Sequence, residues 1–557
     1  MEYSSEVIKA PEIATGRLMG EFCVDSKLGQ WLATTGAGSG FHPGLVFGKS
    51  QPEGILSAQD MGTSVYADRP IHRHEVLASC SAEAIIDRHT SFAQITTLLR
   101  RLDGLKHPDR DEAQQFLTHS LDRTIISLYL ILTNLSLKFQ SEQGRPYDKP
   151  TRGEDQPDIH IELLKELFSF HQEYVRLLPR AEHLLTPLFW TQVELEKLGS
   201  SPLLHSVNEQ HKLWTTEYES LLNNLPPSLH ELITYHTSCQ DYFWASTIVT
   251  SRSFPSTLLA PPSDPSNPLD HPSQQDLDRA LGYQEAVPIL LPGVDIFNHK
   301  RRSKVEWRSV RTHGQVQRVE IVSLEEHIQR GEQVFNNYGP KSTAELILGY
   351  GFALGEEDWQ STDGTKNPDD FYPVKLTRPG PTQIYSGLIG EIFERFVPKD
   401  LTHHIRRDGR PPALLLAQLR VSLISSQHDL LLLSQRINPS SLPLSSSSDF
   451  LSAFSNSMDS KLSWENELNS HDCLHALIAH KLATFRSSSD DPHSDWSQVR
   501  PPVRQMIEIY RQGQLDILTD TLNLVQDSFQ KTLAEAAADG FHFDDDDDDD
   551  DEDNAEQ

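Results

Sequence analysis

Strand-type sequence falls in two blocks that lie far apart along this chain, with a long helix-type stretch between them. This separation constrains the fold more than any other feature, because short strands cannot bury themselves alone and must pair across the gap. The first block covers about residues 30 to 90. It holds Leu45-Val46-Phe47, Ser64-Val65-Tyr66-Ala67 and Val76-Leu77-Ala78, separated by Gly, Pro and Asp. The second runs from Val287 to Tyr338 and holds Ile289-Leu290-Leu291, Val319-Glu320-Ile321-Val322 and Val334-Phe335. Between them, Ala113 to Leu137 is rich in Leu and Ile without Gly or Pro, which predicts one buried helix. A second helix is expected over Ile159 to Leu178, with Leu164, Leu167, Phe168, His171, Val175 and Leu178 on one face. Glu194 to Leu222 also reads as helix. The simplest architecture is α+β, a β core split by a helical insertion.

From about residue 372 the chain reads as mostly helical. Its clearest helix carries Val503, Ile507, Tyr510, Ile517, Leu518, Leu522 and Val525 on one face. Gly513 within it costs about 1 kcal/mol relative to Ala. Residues 255 to 285 and the Ser-rich stretch 437 to 460 read as loops. The expected organisation is 20–95 and 241–360 as the two parts of the β core, 96–240 as the insertion, 372–540 as a helical domain and 541–557 as an acidic tail.

Charge narrows the partners. The 557 residues carry a formal net charge of −31, and the run from Asp544 to Asp553 supplies ten of those charges. The remainder still repels phosphate, so nucleic acid is excluded as a main partner and a basic protein is favoured. The cysteines Cys23, Cys80, Cys239 and Cys473 stand far apart and suggest neither a disulfide framework nor a zinc site. No apolar signal core or bilayer-length run occurs. The expectation is a soluble intracellular monomer, in the cytoplasm, the nucleus or both, without membrane attachment.

Several motifs carry little. Gly36-Ala37-Gly38-Ser39-Gly40 lacks the Lys-Ser/Thr of a phosphate loop. His230-Glu231 is followed by Thr234 where a zinc protease has its second histidine, and His236 comes too late, so no metal is expected. Lys300-Arg301-Arg302 with Lys304 reads as a solvated hairpin end.

Three other segments combine chemistry with spacing. They are Ser251-Arg252-Ser253-Phe254, Asp295-Ile296-Phe297-Asn298-His299, and the stretch from Gly331 through Tyr338 to Phe352. Asn298-His299 offers an amide and an imidazole at one spot, suited to a polar heterocycle or equally to a capped turn. Tyr338, Tyr350 and Phe352 are aromatics on a Gly-punctuated stretch. Aromatic faces attract sulfonium and ammonium groups, and they also pack cores.

The third segment resembles the C-terminal signature of SET domains. It is most similar to the class of Rubisco large-subunit lysine methyltransferase, fungal ribosomal-protein lysine methyltransferases and animal actin histidine methyltransferase. The residues that carry this are Tyr338-Gly339-Pro340-Lys341-Ser342-Thr343-Ala344-Glu345-Leu346, then Tyr350-Gly351-Phe352, with Asp295 to His299 and Ser251 to Phe254 before them. Gly62-Thr63-Ser64-Val65 resembles the N-terminal glycine turn, with Ser64 in place of its second glycine. Asn367-Pro368 and Asp370 sit where the class has a linker.

The resemblance implies a SET fold split by a helical insertion, followed by an all-helical substrate-binding domain. It implies S-adenosylmethionine as cofactor, held by Gly62, Thr63, Ser64, Arg252, Asp295, Asn298, His299 and Tyr338. Tyr338 would be the catalytic residue, and Ser251, Phe254, Tyr350 and Phe352 would line the channel for the acceptor. The implied activity is protein-lysine N-methylation of a non-histone protein, such as a ribosomal or translation component. Two readings stay open beside it: a histidine acceptor on the same fold, and a catalytically silent SET-fold adaptor.

Overall fold

A computed structural model describes residues 27–49, 63–102, 115–141, 159–260, 286–355, 367–376, 388–395, 397, 401–437, 447–487 and 495–541. The chain divides into two units. One joins residues up to Leu184 with His211–Gly339, and the other joins Leu185–Gln210 with the residues from Pro340 onward.

The first unit pairs its strands across the insertion. β1 (Gly40–Phe41), β2 (Leu45–Lys49), β3 (Thr63–Ala67), β4 (Ile71–His72) and β5 (Val76–Ser81) come before it. β6 (Ser253–Pro255), β7 (Pro288–Leu290), β8 (Val305–Thr312), β9 (Gln315–Ser323) and β10 (His327–Ile328) come after it. The main sheet has the order β1-β5-β9-β8, so β5 of the early block lies against β9 of the late one. Two smaller ladders, β2-β3 and β6-β7, stay within a block, and β10-β4 joins the blocks again. The β8-β9 hairpin turns through His313 and Gly314, both at positive φ (51° and 79°), the conformation a two-residue I′ turn requires. Leu77, Ala78, Cys80, Val319, Ile321 and Val322 are fully buried where β5 and β9 meet.

The insertion is more broken than its apolar pattern suggests. The single helix expected over Ala113 to Leu137 is two. Residues 115–119 are helical, the chain turns at Ser120-Leu121, and a new helix runs Asp122–Ser141. Arg88 explains the break. Its guanidinium donates to the carbonyls of Leu117, Thr118 and Ser120 and to the Asp122 carboxylate at 2.6–3.1 Å, taking acceptors that a continuous helix would use. The helix expected over Ile159 to Leu178 also stops, after Leu167, and resumes at Gln172–Val175. His171 leaves helical geometry at φ −92°, ψ 13°, and its ring is tied to the Tyr129 hydroxyl and the Ala84 carbonyl. The face expected from Phe168 to Leu178 is buried despite the break.

The second unit is mainly helical and carries one short antiparallel ladder, β11 (Phe371–Val374) with β12 (His403–Arg406). Helices Trp464–Ser487 and Pro501–Ala538 pack along one another. Of the expected face on the latter, Val503, Ile507, Tyr510, Ile517, Leu518 and Val525 are buried and Leu522 is half-buried. The helix-type stretch from Glu194 begins as a short helix, Gln192–Glu196, and breaks at Gly199 before Pro202–Asn223. The expected loop over 437–460 contains a helix, Ser447–Ser457. Phe454 and Met458, four residues apart, are fully buried, so an apolar stripe overrides the serine content.

Inside this unit Arg420 makes a bidentate ion pair with Glu467 at 2.6 and 2.7 Å, both side chains being about nine-tenths buried. Asp370 accepts from the Thr343 backbone N–H at 2.6 Å and from its hydroxyl at 3.1 Å. Gly513 makes room for that carboxylate, because a Cβ there would lie 3.1 Å from Asp370 Oδ2.

Candidate active site

Arg252, Phe254, Asp295, Asn298, His299 and Tyr338 gather in the first unit where its two strand blocks meet. The segment Phe297–Lys300 lies beside the segment Gln333–Tyr338. Asn336 N–H donates to Asn298 O at 2.8 Å and Lys300 N–H donates to Asn336 O at 3.0 Å, a parallel bridge between His299 and Asn336. β3 lies along the same segment. Val334 N–H donates to Val65 O at 2.8 Å, and Tyr66 bridges Gln333.

Tyr338 is fixed at three points. Its N–H donates to His299 Nδ1 at 3.0 Å, its ring stacks on the His299 ring at 5.0 Å and 22°, and its hydroxyl donates to Phe297 O at 2.8 Å. His299 is buried, so its ring serves as a support for Tyr338. Asn298 Nδ2 donates to Ser64 Oγ at 3.0 Å. Ser64 is fully buried in an extended strand, where any residue fits, so the serine in place of glycine brings no strain and supplies an acceptor.

Arg252, at the end of helix Cys239–Arg252, uses Nη1 to reach both Asp295 O (3.2 Å) and Asp295 Oδ2 (3.1 Å). Among the described residues its hydrogen bonds leave from Nη1 alone. Burial works against its charge, but Asp295, then the Tyr174 and Tyr338 hydroxyls, raise its pKa above the ordinary value. Asp295 has a 2 % exposed side chain, and both its oxygens have partners. Oδ1 takes Gly293 N–H at 3.2 Å, and Oδ2 takes both Arg252 and the Tyr174 hydroxyl at 2.8 Å. Burial, then the Asp295 carboxylate, hold the Tyr174 hydroxyl well above its usual pKa, so it remains a donor.

Phe254 is buried on β6, its ring edge-on to Trp307 of β8 at 4.9 Å. Trp307 Nε1 in turn donates to Asn336 Oδ1 at 2.9 Å. Ser251 points its hydroxyl back at Thr247 O within its own helix. Thr63 begins β3. Gly62 lies outside the described residues, as do positions 261–285 of the loop expected at 255–285. Tyr350 and Phe352 belong to the second unit. There their rings meet at 6.2 Å and pack against Leu346 and Leu354, and burial pushes the Tyr350 hydroxyl up to about 12. Ser342 and Glu345 form a capping box on helix Thr343–Tyr350, which gives that part of the motif a structural role.

Sequence reasoning passed over Tyr174, Trp307 and Asn336. Asn336 and Trp307 had a faint signal, an amide and a large aromatic beside the motif segments. Tyr174 had none, because it falls between the apolar positions of a helix-type stretch. The glycine-rich segment Gly36 to Gly40 is a turn that Ser39 ties to the Ser79 carbonyl and the Ser81 N–H. His236 packs edge-on against Phe139 and Tyr235.

The donor set suits a ligand with a carboxylate and a cationic centre. A half-buried guanidinium has N–H groups to spare among the described residues, an amide is held in one orientation, and an aromatic hydroxyl and ring stand next to them.

No protein-family model matches the chain. Among curated proteins it is similar to ribosomal lysine N-methyltransferase set10 of Schizosaccharomyces pombe, 31% identical over 203 residues, which is 36% of this chain and 31% of that protein. It is 25% identical to ribosomal lysine N-methyltransferase 1 of Saccharomyces cerevisiae, over 34% of this chain and 33% of that one. It is 23% identical to the actin-histidine N-methyltransferase of Canis lupus familiaris, over 67% of this chain and 54% of that one. The matches span about a third of the length of the two yeast proteins. Among solved structures, Rubisco LSMT bound to AdoMet aligns over 91% of this chain and 92% of its own, with TM-score 0.59 and 16% identity. The SET domain of LSMT bound to lysine and AdoHcy aligns over 86% and 90%, with TM-score 0.57 and 16% identity.

Proposed function

We propose that this chain, which has the SET fold of the Rubisco LSMT-like class, is an S-adenosylmethionine-dependent protein-lysine N-methyltransferase acting on a basic non-histone protein. The observation that carries this reading is the convergence of Arg252, Asn298, His299 and Tyr338 from three separate segments onto one spot, with Tyr338 fixed at N–H, ring and hydroxyl. The similarity to ribosomal lysine N-methyltransferases supports the acceptor and the substrate class. The neighbours bound to AdoMet and AdoHcy support the cofactor.

S-adenosylmethionine, when bound, supplies a methyl group activated by a sulfonium. The Nε and Nη2 groups of Arg252, which make no hydrogen bond among the described residues, would receive its carboxylate. Asn298, steadied by Ser64, and the backbone around it would hold its polar ends. Tyr338, the catalytic residue, has its phenol locked against the Phe297 carbonyl, so its edge and hydroxyl are aligned before the acceptor arrives. Phe254 and Trp307 form an apolar wall for the acceptor side chain.

The acceptor lysine must lose its proton, which costs roughly 4.6 kcal/mol at pH 7 from a free pKa of about 10.4. Desolvation against aromatic rings lowers that pKa. Asp295 is poorly placed as the general base, because Gly293, Tyr174 and Arg252 already hydrogen-bond to its carboxylate. The proton therefore leaves to water.

The test is purified protein with radiolabelled S-adenosylmethionine and an undenatured extract lacking the endogenous enzyme. A discrete labelled protein is expected with wild type and a loss of about 100-fold or more with Tyr338→Phe. Mass spectrometry of the labelled site then reads lysine or histidine. Folded protein that binds no cofactor in calorimetry would leave the adaptor reading in its place. The site of action is the cytoplasm or nucleus, supported by the free thiols of Cys80, Cys239 and Cys473. Among the described residues no helix is long and apolar enough to cross a membrane.

A further inference from the structure

We infer that the helical insertion completes the cofactor site through one residue, Tyr174, which positions Arg252 by way of Asp295. The inference rests on the reading of the site given above and adds a residue that no motif contains.

Tyr174 sits in the short helix Gln172–Val175 and is 2 % exposed. Its hydroxyl donates to Asp295 Oδ2 at 2.8 Å, the same oxygen that Arg252 Nη1 approaches at 3.1 Å. With one oxygen shared and the other taken by Gly293 N–H, the carboxylate plane cannot rotate without losing a hydrogen bond. The Arg252 side chain follows that plane, because its hydrogen-bond anchors among the described residues are Asp295 O and Oδ2 on a single nitrogen. Tyr174 therefore sets the direction in which Nε and Nη2 face, without touching the ligand itself.

The insertion holds Tyr174 firmly. His171 Nε2 is 3.2 Å from Ala84 O, which can only accept, so Nε2 carries the proton and Nδ1 accepts from the Tyr129 hydroxyl at 2.6 Å. Gln172 Nε2 donates to Ser136 Oγ at 2.9 Å. Tyr129 and Ser136 lie on helix Asp122–Ser141, and Ala84 follows β5. The segment bearing Tyr174 is thus bolted to an insertion helix on one side and to the end of the main-sheet strand on the other. Burial holds His171 at about 4, so the anchor is neutral and unchanged across the physiological range.

The experiment titrates full-length protein with S-adenosylmethionine by calorimetry, beside thermal melting. Tyr174→Phe keeps the ring and removes only the donor. Its expected loss of cofactor affinity is roughly tenfold, the effect of one hydrogen bond to a charged group. Leu178→Ala, a packing change on the same segment, should lower the melting temperature and leave affinity within about twofold. Arg252→Lys and the double variant Tyr174→Phe/Arg252→Lys should bind alike, because Tyr174 acts through Arg252. Affinity of Tyr174→Phe equal to wild type, or additive losses in the double variant, would overturn the inference while leaving the cofactor reading intact. Folded wild type that binds no S-adenosylmethionine would overturn that reading and this inference with it.

Discussion

Ser64 stands where the resembling class has glycine, and the difference has a chemical use. The hydroxyl accepts Asn298 Nδ2 at 3.0 Å inside a fully buried strand. Ser64→Ala leaves that N–H without its acceptor, and cofactor affinity should fall about two- to tenfold. Ser64→Gly should lose as much, since the hydroxyl matters and the backbone does not need glycine there. Calorimetric titration decides it, and wild-type affinity in Ser64→Ala would show that the contact contributes nothing. At this scale the candidate residues could be read directly. Arg252, Asn298, His299 and Tyr338 announce themselves by residue type within short motifs. What stayed hidden was which group holds which. His299 turned out to support Tyr338 by stacking and by Nδ1, and Asp295 turned out to be held by Gly293, Tyr174 and Arg252. Both depend on residues such as Tyr174 that are remote in sequence and lie in an ordinary helical pattern.

At the scale of elements, apolar periodicity located strands and helices and missed their interruptions. Arg88 stops one helix by taking its carbonyls, and His171 stops another through Tyr129 and Ala84. Neither side chain's partner is visible in a local window, because the contacts lie tens of residues away. Gly513 shows the same limit. Sequence shows its cost to the helix, and only packing shows that it admits the Asp370 carboxylate. That carboxyl carries a pH signature. Burial pushes it up to about 6, with the Thr343 hydrogen bonds and Arg407 opposing. A raised carboxyl pKa means that the folded state holds its proton more tightly than the unfolded state. The stability it contributes is present below about pH 4 and is lost as pH rises through about 6. Asp370→Asn keeps an acceptor for the Thr343 N–H and cannot ionise. The variant should gain melting temperature relative to wild type as pH increases from about 4 to 7, then hold a constant difference. Parallel melting curves at every pH would refute the assignment.

At the scale of the molecule, charge bears on the proposed substrate. A net charge of −31, ten of it in Asp544 to Asp553, favours a basic partner at long range. For a basic protein substrate, KM should rise several-fold between about 50 and 300 mM salt. Removing residues 542–557 should flatten that rise while kcat stays unchanged. A KM insensitive to salt would mean that recognition is by shape and apolar contact. The α+β class and the split β core were legible from the two strand blocks alone. The pairing of β5 with β9 was not, because register depends on side chains meeting across the insertion.

Those long-range ties give the site a property of timing. Ser64 and Asn298 are 234 residues apart, and Val65 meets Val334 beside the bridge at Asn336. Contacts between such distant partners carry a large loop-closure cost and slow folding. No fragment ending before Tyr338 contains the whole pocket, and a newly made chain cannot possess one until that residue has left the ribosome. If the proposed cofactor site is right, ligand retention reports that both strand blocks have been made and joined.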